Sequence, residues 1–140
     1  MIDLTPMQDA LATLTESLRL IEESEGQVSE PMRLLMQRGL IQAFEYNYGL
    51  AILMMTRYLK ERSSMPDKHD LSVFEEFIRV ADEQQLLLSP IAKWKAFRHA
   101  RNLTSHTYNR TKADAVAEIT PEFEREVVYL LSKLKEKSAQ

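Results

Sequence analysis

Apolar side chains recur every three or four residues over most of this sequence, and this spacing constrains the fold more than any other feature. The first segment shows it most clearly, with Leu4, Met7, Leu11, Leu14, Leu18 and Ile21. Steps of three and four place these side chains on one face of an α-helix. No segment of useful length alternates apolar and polar residues as a half-buried strand would. The pattern therefore predicts an all-α protein.

Residues typical of helix starts precede each predicted helix: Thr5-Pro6, Ser29-Glu30-Pro31, a capping box from Ser72 to Glu75, Ser89-Pro90 and Thr120-Pro121. The first helix should end before Gly26. A break around Asn109 and a short helix over residues 113–118 should precede the last one. We expect an up-and-down bundle of four long helices plus one or two short ones. It should form a single domain over residues 1–140, frayed from about residue 136.

The second helix has no stop signal before residues 63–66, so it would be about 33 residues long, or roughly 50 Å. Gly39 and Gly49 lie inside it. Each costs about 1 kcal/mol relative to alanine, which suggests that both allow a neighbouring helix to approach closely. A helix of this length needs neighbours along it, either in a bundle or in a dimer. Its predicted inward residues are Leu35, Leu40, Ile41, Phe44, Tyr48, Ala51, Ile52, Met55 and Leu59.

Composition removes several classes of function. The chain has no cysteine, which excludes disulfides, zinc–thiolate sites and cysteine nucleophiles. The three histidines, His69, His99 and His106, lack metal-site spacing, so neither a metal nor another cofactor is predicted. The longest apolar run, residues 50–55, is too short to span a bilayer. Without a signal-peptide pattern at the N-terminus, a cytoplasmic protein that does not contact membranes is expected.

Charge is unevenly distributed. The formal net charge is −3, yet residues 84–113 contain no Asp or Glu. The basic residues of that stretch are Lys93, Lys95, Arg98, Arg101, Arg110 and Lys112. Such segregation indicates a local surface for an anionic partner, such as RNA or a nucleotide. The alternative is a solvated helix whose charges pair with acidic neighbours, such as Glu122, Glu124 and Glu126.

Helical geometry separates two candidate residues within this stretch. At about 100° per residue, Lys95, His99, Asn102 and His106 fall near one line. Arg101 lies on the side of Trp94 and Phe97, about 140° from His106. The two could therefore meet only if the helix distorts before His106, or if a second copy supplies one of them.

Arginine and histidine together suit phosphate chemistry. Arg101 could hold phosphate oxygens with its forked guanidinium, and His106 could take and return a proton. Such a pair could cleave RNA without metal through the ribose 2′-hydroxyl. Asn102 could orient the substrate or the imidazole, and Tyr108 could donate a hydrogen bond or stack on a base.

Residues 101–108, Arg-Asn-Leu-Thr-Ser-His-Thr-Tyr, resemble the signature of the HEPN superfamily. Within it, the sequence is most similar to the nucleotidyltransferase substrate-binding proteins, which are encoded beside a minimal nucleotidyltransferase. Residues 38–45, Arg-Gly-Leu-Ile-Gln-Ala-Phe-Glu, resemble that family's second-helix motif, and Trp94 also matches. The resemblance covers about residues 11–134. The departures are Gly49, Ile52-Leu53 and Ala100, where the family often has glutamate, Trp-Lys and an acid.

The resemblance implies a helical homodimer whose two Arg–His motifs line one cleft. Some members are metal-independent endoribonucleases that act as toxins; the partner nucleotidyltransferase is then the antitoxin and adds AMP to the motif tyrosine. In that reading Arg101 binds phosphate, His106 is the acid or base, Asn102 orients and Tyr108 is modified. Residues predicted to contact nucleic acid or phosphate are Lys93, Lys95, Arg98 and Lys112.

Two further hypotheses remain open. One is a non-catalytic subunit that presents a nucleotide or another substrate to the partner enzyme. The other is a helical interaction protein without a ligand, in which Arg101 and His106 only hold the dimer together.

Overall fold

The computed structural model describes residues 2–62 and 73–138, which form helices and connecting turns without any strand. The α-helices are α1 Thr5–Ser24, α2 Glu30–Glu61, α3 Phe74–Glu83, α4 Ile91–Leu103 and α5 Arg110–Ser138, with a 3-10 helix, Thr104–His106, between α4 and α5. The all-α prediction is confirmed. Three of the helices are long, and α3 and α4 are shorter.

The core lies where α1, α2 and α5 pack together, with α4 added against α5. A cluster of aromatic rings joins three of these helices. Phe123 of α5 lies 4.9 Å from Phe44 of α2 and 5.0 Å from Phe97 of α4, measured between ring centroids. Trp94 meets Phe97 edge-on at 5.4 Å and is completely buried. Edge-to-face pairs of this kind add to the free energy of burial, so α4 is firmly attached along its N-terminal half.

Helix α2 follows its predicted inward face except near its start. Leu35 is 59% exposed, and no side chain of residues 30–36 is buried. The prediction for Leu35 is wrong because this first part of α2 has too few neighbours to cover it. Asn47, which the periodicity did not identify, is buried and donates hydrogen bonds to the carbonyls of Ala10 and Ala43. Its amide thereby ties α2 to α1.

The predicted separate helices over 113–118 and after Thr120-Pro121 are wrong, because α5 runs without interruption through Pro121. An internal proline removes one backbone donor and costs about 3 kcal/mol. Here buried side chains continue on both sides of it, from Val116 to Phe123, so packing outweighs that cost. The Thr120 hydroxyl, next to the proline, donates to the Val116 carbonyl at 2.7 Å.

The other helix ends differ from the sequence signals by one or two residues. The Ser29 hydroxyl caps α2 as predicted, accepting a hydrogen bond from the Met32 amide. The N-caps of α1 and α4 are Leu4 and Pro90 rather than Thr5 and Ser89, and neither has a side-chain cap. The predicted cap Ser72 lies outside the described residues. At the other end of the chain, α5 continues to Ser138.

Candidate functional site

The signature residues lie on the junction between α4 and α5. Arg101 and Asn102 are in the last turn of α4, His106 ends the 3-10 helix, and Tyr108 lies in the turn before α5. A 3-10 helix has three residues per turn, so the change after Leu103 rotates the following side chains away from straight-helix positions. The distortion that the sequence geometry required before His106 is therefore present. Within the described residues, no hydrogen bond or ion pair joins Arg101 to His106.

Arg101 is held by two side chains that the sequence did not single out as site residues. Its Nη1 lies 3.1 Å from Glu45 Oε2 and 3.1 Å from Thr104 Oγ1, while Thr104 Oγ1 lies 2.9 Å from the same Glu45 oxygen. The Arg101 side chain stays 39% exposed, so the guanidinium remains accessible to a ligand. An ion pair this exposed contributes about 1 kcal/mol or less to stability. The arrangement orients Arg101 rather than burying it.

One sequence signal pointed toward Glu45. It is the last residue of the second-helix motif, and α2 places it beside the α4–α5 junction. Position 100, next to Arg101, is an alanine, and Glu45 supplies a carboxylate to Arg101 from another helix.

His106, Asn102 and Tyr108 are all exposed, and the Tyr108 side chain is 87% exposed. The rings of His106 and Tyr108 are edge-to-face, with centroids 6.2 Å apart. The junction therefore presents an imidazole, an amide and a phenol to solvent. No packing requirement of the core accounts for these three side chains.

The basic residues of α4 are mostly engaged with neighbouring helices. Lys93 Nζ lies 2.8 Å from the Glu122 carboxylate, and Lys95 pairs with Glu75. These partners hold the pKa values of Glu122 and Glu75 below their usual range, mainly through the hydrogen bonds from the lysines. The guanidinium of Arg98 lies over the ring of Phe74, 4.5 Å from its centroid. Much of the predicted basic surface thus links α4 to α3 and α5.

The alternative of acidic pairing therefore applies to part of this surface. It holds for Lys93 with Glu122, as the sequence suggested, whereas Glu126 is fully buried and accepts a hydrogen bond from the Leu88 amide. Lys112 differs, since among the described residues its ammonium makes no ion pair. Its backbone amide donates to the Asn109 side chain, which caps α5.

Tyr48 lies in the core close to the two arginines of α4. Burial raises the pKa of Tyr48 to about 12, and the positive charges of Arg98 and Arg101 offset part of that increase. Its ring packs near Phe44 and Phe123. Tyr48 is therefore a neutral packing residue at neutral pH.

Two surface grooves run along α2 beside the junction. The first, of about 410 Å³, is the Arg101 groove, lined by Gln42, Glu45, Tyr46, Gly49, Leu50, Leu53 and Arg101. The second, of about 320 Å³, is the Tyr108 groove, lined by Leu34, Gln37, Arg38, Ile41, Thr107, Tyr108, Arg110 and Ala113. The predicted phosphate-binding arginine and the predicted modification site therefore line different grooves.

Residues 2–62 and 73–138 contain no group of three or more side chains that could hold a metal ion. His69 lies outside these ranges. In the same part of the chain, no helix is both long and apolar enough to cross a membrane.

The chain is similar to known proteins over most of its length. Residues 2–136 match the family described as "nucleotidyltransferase substrate binding protein like". A relative from Haemophilus influenzae named "probable ribonuclease HepT" is 36% identical over 100 residues, covering 71% of this chain and 68% of that protein. A solved structure from the same organism, described as revealing the fold of a substrate-binding domain of a nucleotidyltransferase, superposes with a TM-score of 0.88 at 30% identity. That match covers 95% of this chain and 99% of the other.

The match therefore extends far beyond the short signature at the α4–α5 junction, over nearly the whole helical bundle. It confirms the resemblance found in the sequence: the chain belongs to the nucleotidyltransferase substrate-binding protein family.

Proposed function

We propose that this chain is the HEPN-type partner of a minimal nucleotidyltransferase and acts as the toxin of the pair, cleaving RNA without metal. The observation that carries the proposal is the exposure of Asn102, His106 and Tyr108 beside an accessible Arg101. Side chains with only a packing role would be buried, whereas these four face solvent at one helix junction. The name of the HepT relative supports the activity, and the family description supports the partner.

In this reaction Arg101 binds the oxygens of the scissile phosphate and stabilises the charge that develops on them. His106 removes the proton of the ribose 2′-hydroxyl, whose oxygen attacks phosphorus as the bond to the 5′-oxygen breaks. The histidine of a second copy returns a proton to that leaving oxygen. The products are a 2′,3′-cyclic phosphate and a 5′-hydroxyl. Asn102 orients the substrate or the imidazole.

Glu45 acts on Arg101 before substrate arrives. Its carboxylate and the Thr104 hydroxyl hold the guanidinium in one place. A phosphate entering the Arg101 groove replaces part of this contact, because both anions use the same donors. Glu45 is therefore a positioning residue that also competes with substrate.

The second copy in this scheme docks on an exposed stripe of α2. The α2 stripe consists of Met32, Leu35, Gly39, Gln42, Tyr46, Gly49 and Leu53, all exposed. Its residues are separated alternately by three and four positions, the spacing of a seam between two packed helices. Among the described residues, a methyl group added at Gly39 or Gly49 would meet no atom within 4 Å beyond the adjacent residues and the nearby backbone of α2 itself. The close approach expected at these glycines is thus left for another molecule.

The α2 stripe and the Arg101 groove share Gln42, Tyr46, Gly49 and Leu53. A second copy that covers the stripe therefore lies against Arg101. By symmetry its own Arg101 faces the same interface, which produces one cleft with two copies of the motif.

A second candidate is a non-catalytic subunit that presents a substrate to the nucleotidyltransferase. The Glu45–Arg101 contact favours this second candidate, because the Glu45 carboxylate is already paired with the guanidinium that would bind the scissile phosphate. The similar solved structure from Haemophilus influenzae, described as having the fold of a substrate-binding domain, supports it as well.

Expression in bacterial cells separates the two candidates. If the chain is a ribonuclease, inducing the wild type stops growth, inducing His106→Ala does not, and coexpressing the cognate nucleotidyltransferase restores growth. His99→Ala is the matched control. His99 is exposed like His106, but it lies on α4 and outside the signature. Equal growth of cells expressing wild type and His106→Ala at equal protein levels would contradict the toxin and favour the substrate-binding subunit.

A further inference from the structure

The α4–α5 junction contacts α2 at two places on the same side of that helix. Thr104, the first residue of the 3-10 helix, donates a hydrogen bond to Glu45 at 2.9 Å. Thr107, three residues later, lines the Tyr108 groove together with Arg38. Arg38 and Glu45 are seven residues apart on α2, which is about two turns, or about 10 Å along the helix. The junction therefore follows α2 from one groove to the other.

The position of His106 in the chain follows from this course. Glu45 holds Arg101 in the Arg101 groove, and the 3-10 helix begins there. His106 ends that helix immediately before Thr107, which lines the second groove. The proposed acid or base thus comes between the two grooves along the chain.

The Tyr108 groove contains two arginines that have no part in the proposed cleavage step. Arg38 of α2 lines it together with Arg110, the first residue of α5. No carboxylate is among the lining residues. Asp114 of α5 accepts a hydrogen bond at 2.8 Å from the amide of Gln37, which lines the groove. The groove therefore presents positive charge to an anion.

Both guanidinium groups are available to that anion. Arg38 is exposed and, among the described residues, makes no ion pair or hydrogen bond through its side chain. Arg110 makes one long contact, 3.5 Å from Glu30 Oε1. That carboxylate is already bound by Arg33, with a shorter contact of 2.6 Å. Arg110 is therefore weakly held, and its forked donors can bind phosphate oxygens.

The spacing of the two grooves suits the backbone of one nucleic-acid strand. A stacked strand carries one phosphate about every 3.4 Å, so about 10 Å corresponds to about three nucleotides. Proteins that bind single strands use positively charged grooves that follow the backbone. A strand whose scissile phosphate lies at Arg101 would extend along α2 and bring a further phosphate to Arg38.

We propose that Arg38 and Arg110 form a second phosphate subsite, which holds the RNA backbone about three nucleotides away from the phosphate at Arg101. The inference rests on the proposed ribonuclease function and deepens it by assigning the path of the substrate, from the Arg101 groove past His106 to the Tyr108 groove. Neither arginine of the subsite touches the reacting atoms. Both bind substrate, so their loss weakens RNA binding.

Fluorescence anisotropy with a labelled 2′-O-methyl RNA of eight nucleotides tests the subsite on the full chain. This RNA lacks the free 2′-hydroxyl, so its binding is measured without cleavage. Arg38→Gln and Arg110→Gln should each raise Kd about tenfold. The slope of log K against log salt concentration should become shallower by about 0.7 in each variant, the value for one phosphate contact with a single strand.

The length of the RNA tests the distance between the two subsites. Wild-type affinity should rise steeply between two and six nucleotides, when one strand becomes long enough to reach both grooves. The rise should be about tenfold smaller in Arg38→Gln and Arg110→Gln. The matched control is Arg125→Gln, which removes an exposed arginine of α5 from a groove formed by α1, α2 and α5. It should bind every RNA like wild type.

Wild-type affinity in Arg38→Gln and Arg110→Gln would overturn the subsite. An equal loss in Arg125→Gln would overturn it too, because the effect would then come from surface charge in general. Circular dichroism confirms that each variant is folded. Cleavage of the unmodified RNA is measured with the same wild-type sample. Binding without cleavage would contradict the ribonuclease proposal alone, and a wild type that binds no RNA would overturn both.

Discussion

The two ends of α4 carry similar charges but are used differently. In the N-terminal half, Trp94 and Phe97 are buried, while Lys93 and Lys95 pair with acids of α5 and α3. At the C-terminal end, Arg101 is half-exposed and the following junction is covered by little of the chain. One acid-free stretch of sequence thus anchors the helix at one end and leaves polar side chains exposed at the other. Charge alone does not distinguish a surface that binds a ligand from one that binds a neighbouring helix.

The largest effect is expected at the anchored end. Trp94→Ala removes a completely buried indole that packs on Phe97 and Phe123, and should lower the free energy of unfolding by about 3–5 kcal/mol. Urea denaturation measures the loss. Asn102→Ala, at the exposed end of the same helix, should change the unfolding free energy by less than about 0.5 kcal/mol. Similar losses of unfolding free energy in both variants would contradict the difference proposed between the two ends of α4.

We expect the exposed C-terminal end of α4 to face a second copy of the chain in a dimer. Leu35→Glu combined with Tyr46→Glu places charges on the α2 stripe, where both side chains are exposed in the single chain. The variant should remain helical but change from dimer to monomer in light scattering at micromolar concentration. Val128→Glu, an exposed apolar position on α5, is the control and should stay dimeric. A wild type that is strictly monomeric would contradict the composite cleft.

Glu45→Gln tests whether the Glu45 carboxylate orients Arg101 and competes with RNA for it. The substitution keeps the shape of the side chain but removes the competing charge, so RNA should bind more tightly and KM should fall. Because the guanidinium is held less firmly, kcat should fall too. The unfolding free energy should change by about 1 kcal/mol or less, since the pair is exposed. A large loss of stability with unchanged kinetics would give Glu45 a structural role only.

The smallest effect concerns the lysines. Lys112 makes no ion pair among the described residues, whereas Lys95 is neutralised by Glu75. Lys112→Ala should therefore reduce the salt dependence of RNA binding more than Lys95→Ala does. The slope of log K against log salt concentration should become shallower by about 0.7–0.9, the value for one phosphate contact. Binding titrations over a range of salt concentrations measure both slopes. Equal slopes would show that the Glu75 pair opens when RNA binds.

The helical class was predictable because each helix shows its own buried face in local spacing. The single helix across Pro121 was not, since the packing that carries α5 through the proline is a property of the assembled core. The exposure of Leu35 likewise depends on where its neighbours end. Local pattern determines which segments are helical, and tertiary contacts decide where they continue.

The candidate site was predictable to the extent that one short segment contains it. Arg101 and His106 are five positions apart in a recognisable signature, whereas Glu45 reaches Arg101 and Thr104 from far away in the sequence. The ion pairs of Lys93 and Lys95 likewise join separate helices. A single sequence contains no direct record of such pairings, so the basic surface was predicted larger than the structure leaves free.

The central claim is that Arg101 and His106 act together on RNA without metal. Purified wild type incubated with total RNA in EDTA should produce fragments ending in 2′,3′-cyclic phosphate, with a bell-shaped dependence on pH. Arg101→Ala and His106→Ala should leave the RNA intact, while Arg79→Ala and His99→Ala, which remove the same residue types at exposed positions outside the junction, should cleave like wild type. Intact RNA with wild type, or equal cleavage by wild type and both junction variants, would contradict the claim.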